Sequence, residues 1–147
     1  MTTIKEFICN PLPTPNCHAS TVLPLPDGTV ISAWFGGTKE GKTDVDIWYS
    51  RRDENGWSKP SSVCYNKNIP HWNPVLFLRE NGEVVLFFKV GKKIPSWRTF
   101  VSISTDGGKT WTPVNQENFN HVRGTLLPNG DRIRNASHRS KPVTEDM

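Results

Sequence analysis

The sequence predicts an all-β fold made of repeated, four-stranded antiparallel sheets. The first indication is a pair of turn sequences, Asp27-Gly28 and Asn81-Gly82, each placed between apolar, β-rich runs. Asp-Gly and Asn-Gly tolerate the positive φ angles of tight turns, so this placement predicts hairpins. The second indication is that the runs after the turns, 29–34 and 83–88, are alike in length and character. The third is that the whole pattern occurs twice, which is typical of repeat architectures.

The internal repeat aligns residues 21–60 with residues 74–113. Each copy contains an apolar strand, a turn, a second apolar strand, a loop and an alternating strand. At a spacing of 54 residues three pairs of residues coincide: Gly28 with Gly82, Ser50 with Ser104, and Trp57 with Trp111. The repeat therefore predicts two similar sheets in succession, and a third copy begins near residue 125.

The segment 104–111 contains the pattern S-x-D-x-G-x-x-W, which is called an Asp-box. Asp-boxes occur mainly in the outer hairpins of β-propeller blades. The Asp106 carboxylate is expected to accept backbone N–H groups across a turn that the neighbouring glycines permit. The first copy, 50–57, keeps the serine and the tryptophan but lacks the aspartate and the glycine at their expected places. The motif indicates a β-propeller and says little about chemistry.

The repeat divides one partial domain, 1–147, into sheets that are called blades in a propeller. The blades span about 16–60, about 70–113 and, incompletely, about 120–147. A propeller needs about four to eight blades to close its ring. We therefore expect about two and a half blades of an incomplete ring, a fragment or a part of an assembly, whose exposed faces allow self-association.

Composition and charge argue against several classes of function. The net charge of +4 comes from scattered lysines and arginines, whereas a nucleic-acid interface needs a focused basic stripe with stacking aromatics. The three cysteines, Cys9, Cys17 and Cys64, lack a metal-ligand spacing, so we expect no metal and no cofactor. No apolar run reaches membrane-spanning length and the start lacks the apolar core of a leader. These features predict no membrane partner and a cytoplasmic location.

Polar residues cluster in the segments that connect the predicted strands. His18 opens the first blade and His71 opens the second, and their spacing of 53 residues predicts similar places in the two blades. A long loop, 35–46, combines glycines with several charged residues. Loops at one mouth of a propeller converge, so side chains from successive blades can meet there around a ligand.

Several segments between residues 16 and 113 together resemble the bacterial BNR-repeat, sialidase-like β-propeller family. They are 17–22, 33–41, 46–51, 72–77 and 88–91. The resemblance implies a glycoside hydrolase of the exo-α-sialidase (neuraminidase) type that acts on acidic sugar termini. Sialidases use three arginines to hold the sugar carboxylate, an aspartate as acid/base and a tyrosine paired with a glutamate as nucleophile. This chain has His18-Ala19-Ser20 where the first arginine is supplied, and we expect the isolated chain to be inactive.

Nine residues are candidates for the site. Carboxylates and histidines can move protons, while cations and aromatic rings can hold an acidic sugar. Each also has a structural interpretation: a surface charge, a histidine bonded to local backbone, or an aromatic side chain packed between blades. The catalytic candidates are Asp44, Asp46, Glu40, His18 and His71, and the substrate-binding candidates are Arg51, Lys89, Trp72 and Asn73.

Two other functions stay open. A uronate polysaccharide lyase of propeller fold needs a base and cations near the sugar carboxylate. His18, His71, Arg51 and Lys89 would suit that chemistry. The third hypothesis is a non-catalytic, carbohydrate-binding piece of a propeller. All three functions have a carbohydrate as the partner.

Overall fold

The structure, a computed structural model, describes residues 2–117 and forms two antiparallel β-sheets. The first sheet contains β1 (Asn16–Pro24), β2 (Val30–Gly37), β3 (Asp46–Asp53), β4 (Gly56–Trp57) and β5 (Ser61–Val63). The second contains β6 (His71–Leu78), β7 (Val84–Val90), β8 (Arg98–Ser104) and β9 (Asn115–Glu117). In the described range the only helix is one 3-10 turn at Ile94–Ser96, which is too short to cross a membrane. The all-β prediction is confirmed.

Both sheets follow the same meander. Three consecutive strands pair in order, and a fourth position on β3 is filled by the two short strands β4 and β5. In the second sheet β9 takes the fourth position beside β8. The prediction of a third blade at about 120–147 lies outside the described residues.

The first hairpin turn is repeated faithfully. Gly28 and Gly82 have φ angles of 91° and 90°, which favour glycine. In the first turn the N–H of Leu25 donates to the carbonyl of Thr29 at 2.8 Å, and an equivalent bond at 2.8 Å closes the second turn. The predicted equivalence of Gly28 and Gly82 is therefore confirmed.

The predicted equivalence of Ser50 and Ser104 is wrong. Ser50 Oγ donates to the carbonyl oxygen of Ser58, and Ser102 Oγ donates to that of Thr112, each at 2.6 Å. Ser50 therefore corresponds to Ser102. The reason is that the hairpin after β3 is two residues shorter than the hairpin after β8. Equivalent residues of β3 and β8 are therefore 52 residues apart, whereas equivalent residues after the two hairpins are 54 residues apart. The segment 50–57 has a tight two-residue turn in place of the longer loop.

The longer turn of the second sheet is held by Asp106. Its Oδ1 atom accepts from the N–H groups of Lys109 and Thr110, at 3.0 and 2.9 Å. Ser104 Oγ donates to the same oxygen at 2.8 Å and accepts from the N–H of Gly108. The Thr110 hydroxyl and N–H are the main reasons why the pKa of Asp106 lies well below its usual range.

The main core lies between the two sheets. Alternate residues of β2 and β3 face alternate residues of β6, β7 and β8, so each strand contributes one side to this layer. His71 adds a backbone link, because its N–H donates to the carbonyl of Val45 at 3.0 Å. The buried side chains include Ile31, Ala33, Phe35, Ile47, Leu76, Val84, Leu86, Phe88 and Phe100.

The sheets stack with the same face forward. Ile31 and Phe35 point from the first sheet toward the second. Their equivalents in the repeat are Val85 and Lys89, and Val85 packs in a separate cluster on the far side of the second sheet. Lys89 lies on that far side too, since it alternates with core residues along β7. The equivalent faces of the two sheets therefore point in the same direction.

Candidate functional site

Eight of the nine candidate residues lie at one end of the two sheets. This end, called here the mouth end, contains the starts of β1, β3, β6 and β8 and the ends of β2 and β7. The opposite end, the turn end, contains the turns at Gly28, Gly82 and Asp106. Arg51 is the exception and lies near the turn end of β3.

The loop that joins β2 to β3 at the mouth end is fastened by Asp44. Its carboxylate accepts from the N–H of Thr38 at 3.1 Å and from the Thr38 hydroxyl. These bonds lower the pKa of Asp44. Glu40 is exposed in the same loop. Asp44 therefore acts as a loop closure here, while Glu40 presents a carboxylate to solvent.

His71 is fully buried, with 0% of its surface exposed. Its Nε2 accepts from the N–H of Tyr65 at 2.9 Å, so the proton sits on Nδ1, which donates to the carbonyl of Ile69 at 2.9 Å. Burial lowers the pKa of His71, which favours the neutral ring. Both nitrogens are engaged by backbone, an arrangement that favours a structural role.

Asp46 is partly buried beside His71 and Cys64. Its Oδ1 lies 4.0 Å from His71 Nδ1 and has no hydrogen-bond partner among the described residues. Burial, followed by a hydrogen bond to Asp46, raises the pKa of the Cys64 thiol to about 12. The three donor atoms lie within 4.8 Å of one another. A metal would nevertheless find no free imidazole lone pair, because both nitrogens of His71 are already bonded to backbone.

His18 and His71 do not occupy similar places, contrary to the prediction from their spacing. His18 pairs with Phe35 and Trp72 pairs with Lys89, so His18 corresponds to Trp72. His71 corresponds instead to Cys17, one residue earlier, and its side chain points to the opposite face of its strand. His18 is exposed and His71 is buried, although Cys17, the counterpart of His71, is exposed.

A row of rings crosses the mouth end. The ring centroids are 5.3 Å apart for His18 and Phe35, 5.8 Å for Phe35 and Trp72, and 5.0 Å for Trp72 and Trp97. Trp72 Nε1 donates to the carbonyl of Gly91 at 2.7 Å, which fixes its ring. The strand pattern gave no signal for Trp97, because this residue lies outside the strands that the repeat predicts.

Lys89 is 6% exposed and donates to the Thr99 hydroxyl. Burial lowers its pKa to about 8. Asn73 follows Trp72 in a β-bulge with a φ angle of 44°, and Ala19 has a φ of 53° in the equivalent bulge of β1. Bulges of this kind redirect side chains and occur often beside active sites.

Arg51 joins the two sheets at the turn end. Its Nε donates to the carbonyl of Gly107 at 2.9 Å, and its Nη1 lies 3.4 Å from Asp53 Oδ2. Because the mouth end is at the other end of β3, Arg51 cannot contact a ligand shared with Asp46. Arg98, which the sequence analysis did not select, is exposed at the mouth end beside Trp97.

The fold is similar to that of two solved structures. The Hadza microbial sialidase Hz136 has a TM-score of 0.60 and 12% identity, over 70% of this chain and 26% of its own. A protein of unknown function from Dyadobacter fermentans DSM 18053 has a TM-score of 0.52 and 19% identity, over 67% of this chain and 27% of its own. The chain thus spans about a quarter of the length of these structures.

Curated proteins give no match to the sequence. The family model for the BNR repeat-like domain matches residues 28–132, which is more than half of the chain and extends from the glycine of the first hairpin turn across the whole of the second. The antiparallel sheets, the repeated turn and the matched segment agree with one another. The chain therefore belongs to the BNR repeat-like family.

Proposed function

We propose that the chain forms two blades of a sialidase-like β-propeller, and that its mouth end supplies part of a site for an acidic sugar. The repeated stacking supports a propeller, because each sheet offers the next one the same face. When sheets occupy successive blade positions, the equivalent ends of their strands lie at the same mouth of the propeller. The activity proposed for the whole protein is hydrolysis of a sialic-acid-like terminal sugar.

The observation that carries this proposal is the row of rings with charged groups at the adjoining positions. Register places Asp46 opposite Gly36, next to Phe35, and Lys89 opposite Trp72. A sugar ring can stack on an indole face while a cation holds its carboxylate. Asp46, whose side chain keeps 19% of its surface exposed although its Oδ1 is buried, is assigned to exchange a proton with a ligand.

Because Arg51 lies at the turn end, two cations at the mouth end are assigned to hold the sugar carboxylate. Arg98 is exposed there, and Lys89 is the cross-strand partner of Trp72. A guanidinium matches a carboxylate in two-point geometry, whereas an ammonium acts as a point charge. The remaining groups that hydrolysis needs would come from further blades, so the 147-residue chain is expected to bind an acidic sugar weakly without turnover.

A uronate lyase is the second candidate, and the exposed ring of His18 favours it. His18 stacks on Phe35 and is open to solvent, as a base that removes a proton from a ligand needs to be. Lys89 would then neutralise the carboxylate. His71 and Arg51 would take no part, because one is buried and the other is at the turn end.

The test is a titration of the ¹⁵N-labelled chain with N-acetylneuraminic acid and, separately, with glucuronic acid. The indole N–H signals of Trp72 and Trp97 are expected to shift saturably. Lys89→Met and Arg98→Met should weaken binding several-fold, whereas Arg51→Met should leave it unchanged. Unmoved signals for Trp72 and Trp97 with both acids would refute a site at the mouth end.

Turnover separates the candidate reactions. A fluorogenic sialoside reports hydrolysis, and near-ultraviolet absorbance reports the unsaturated uronate that β-elimination leaves. Both assays are made on the chain and on any longer form of the protein. Asp46→Asn should abolish hydrolysis, while His18→Gln should abolish elimination. Saturable binding without either product in the longer form as well would support the non-catalytic hypothesis.

A further inference from the structure

Three loops at the mouth end carry exposed cations. They are the β2–β3 loop, 38–45, the β5–β6 loop, 64–70, and the β7–β8 loop, 91–97. Together with the first residue of β8 they hold six exposed basic side chains, Lys39, Lys42, Lys67, Lys92, Lys93 and Arg98. With the buried Lys89 included, the described part of the mouth end has seven basic residues against four acidic ones, Glu40, Asp44, Asp46 and Glu117. The fold thus collects at one end lysines that are scattered along the sequence.

The exposed cations of the mouth end differ from the arginines of the turn end in having no carboxylate partner. At the turn end each described arginine forms an ion pair, in the pairs Arg51–Asp53, Arg52–Glu6 and Arg79–Glu83. Within residues 2–117 no ion pair includes any of the six exposed cations of the mouth end. Asp44 lies in the same loop as Lys39 and Lys42 but accepts from Thr38. A surface with unpaired charges of one sign attracts ligands of the opposite sign.

Two of these loops contact the same indole, that of Trp72. The β2–β3 loop reaches the six-membered ring, because a Cβ atom placed on Gly41 would lie 3.6 Å from Cη2 of Trp72. The β7–β8 loop reaches the five-membered ring, where Nε1 donates to the carbonyl of Gly91 at 2.7 Å. Trp97 of the same loop packs against Trp72 with ring centroids 5.0 Å apart. The ring that is proposed to stack on the sugar is therefore held between two cationic loops.

These two loops have more cations than one carboxylate can use. A carboxylate has two oxygens, and one guanidinium already matches both of them. The proposed site assigns Arg98 and Lys89 to the carboxylate of the terminal sugar. Four exposed lysines of the two loops are left without a role, Lys39, Lys42, Lys92 and Lys93. Further negative charges on the same ligand would give these lysines partners.

We propose that the mouth end takes an acidic sugar whose neighbouring sugar units are also acidic, that is, the end of a polyanionic saccharide chain. This substrate class, which rests on the proposed function, is narrower than an acidic terminal sugar, because the same sugar on a neutral glycan would leave the four lysines unpaired. The terminal unit stacks on Trp72, and carboxylates or sulfates of the next units bind the lysines. Lysine suits this role, because an ammonium group on a flexible stem can follow anionic groups along a chain.

The experiment compares two trisaccharides, an oligomer of three N-acetylneuraminic acid units and sialyllactose, which has one acidic unit on two neutral ones. Binding to the ¹⁵N-labelled chain is followed by the indole N–H signal of Trp72. At an ionic strength of about 0.01 M the acidic oligomer should bind about tenfold more tightly, the equivalent of about 1.4 kcal/mol from two additional exposed ion pairs. At about 1 M, where the Debye length is about 3 Å, most of this preference should be lost.

The two ways of failing are distinguishable in this titration. Equal affinities for the two trisaccharides at about 0.01 M would overturn the inference and leave the proposed function intact. An unmoved Trp72 signal with both trisaccharides would refute the proposed function and the inference together.

Two double variants test whether the loops cause the preference. Lys39→Gln with Lys42→Gln, and Lys92→Gln with Lys93→Gln, should each weaken binding of the acidic oligomer about threefold. Each should weaken binding of sialyllactose less, so the preference for the oligomer should decrease. An unchanged preference in both double variants would overturn the assignment to the loops.

The matched control is Lys59→Gln with Lys109→Gln. These lysines are exposed and lie beside Arg51 at the turn end, so the control removes the same charge from the other end of the molecule. It should leave the preference for the acidic oligomer unchanged, and a loss equal to that of the loop variants would overturn the inference. Oligothymidylate with three phosphates should bind more weakly than the acidic oligomer, because the loops are assigned to a sugar chain. Equal or tighter binding would show a general surface for polyanions and would overturn the inference.

Discussion

At the scale of single residues, His71 shows how burial can convert a candidate catalytic group into a structural one. Its two ring nitrogens connect the backbone at Tyr65 and Ile69, and its N–H joins the first sheet through Val45. A histidine that fits this place must be neutral, because Nε2 has to accept a hydrogen bond. We therefore expect its contribution to stability to depend on pH.

The prediction for His71 concerns the variant His71→Gln. At pH 7.5 the variant should unfold with a free energy lower by about 1–3 kcal/mol, because buried backbone groups lose their partner. The folded pKa of His71 is lowered, so below about pH 6.5 the unfolded state binds a proton that the folded state does not. As the pH falls, the free energy of unfolding of the natural chain should therefore decrease, and the difference in free energy of unfolding between the natural chain and His71→Gln should become smaller. Urea unfolding from pH 7.5 to 5 measures this difference.

The control for that experiment is His18→Gln. His18 is exposed and stacks on Phe35, so the change should lower the free energy of unfolding at pH 7.5 by much less than His71→Gln does. A gap between the natural chain and His71→Gln that stays constant from pH 7.5 to 5 would contradict the buried, neutral state of His71.

Asp106 is the second residue whose role can be tested alone. Asp106→Ala removes the acceptor for two backbone N–H groups and should lower the free energy of unfolding by about 1–2 kcal/mol. Since the pKa of Asp106 is lowered in the fold, this contribution should be present above about pH 4 and decline as the pH falls further. Thermal melting of Asp106→Ala and of Thr105→Ala, an exposed neighbour, should show a loss only in the first. Equal melting of the two variants would refute this role.

At the scale of elements, the sequence predicted the strands better than the register between them. The turn at Gly28 and its repeat at Gly82 were found because a turn with positive φ leaves a glycine in the sequence. The shortened hairpin after β3 has no comparable residue signature in the sequence. Ser50 aligned with Ser104 by spacing alone, whereas the strand register and the bond from Ser50 to Ser58 identify its true counterpart, Ser102.

The same limit, that spacing in the sequence does not give the register of the strands, applies to the candidate site. Loops between strands indicated the mouth end, because polar residues interrupt apolar runs there. Spacing could not tell which face of a strand a side chain occupies, since one residue of slip moves it to the other face. His18 and His71 differ by that one residue. For Arg51 the sequence left a ligand contact and a turn-surface position open, and the register places it at the far end of β3 from Asp46.

Strand β7 carries a charge in an otherwise apolar, buried run, and this predicts a stability cost. Lys89→Met should raise the free energy of unfolding at pH 7 by about 1–3 kcal/mol, because the buried ammonium is removed. The folded pKa of Lys89 is about 8, below that of an unfolded lysine. The folded state therefore loses its proton first between about pH 8 and 10.4, and the advantage of the variant should shrink across that window.

Denaturant unfolding at pH 7 and at pH 10 measures this effect. Lys92→Met, an exposed change at the same end of the sheet, should alter stability little at either pH. The same Lys89→Met variant is expected to lose affinity for the acidic sugar. A variant that is more stable but binds less well would indicate that the charge is retained for function at a cost in stability. Destabilisation by Lys89→Met at pH 7 would contradict this interpretation.

At the scale of the whole molecule, the chain spans about a quarter of the length of the solved structures that it resembles. The forward face of the first sheet, with Ile31 and Phe35, is covered by the second sheet. On the equivalent face of the second sheet, Val85 takes the place of Ile31 and Lys89 the place of Phe35, and Val85 and Phe87 are buried in a separate cluster.

The shared core predicts that the two sheets unfold together. Ile31 from the first sheet and Leu86 from the second are both fully buried in one cluster between the sheets. Ile31→Ala and Leu86→Ala should each lower the free energy of unfolding by about 2–4 kcal/mol. Because neither sheet can bury that face alone, each variant should shift a single transition seen by near-ultraviolet circular dichroism and by amide exchange in both sheets. Val22→Ala, at a position 63% exposed on the first sheet, should change little. If Ile31→Ala raised exchange only in the first sheet, the sheets would be independent units and the stacking would not be the source of stability.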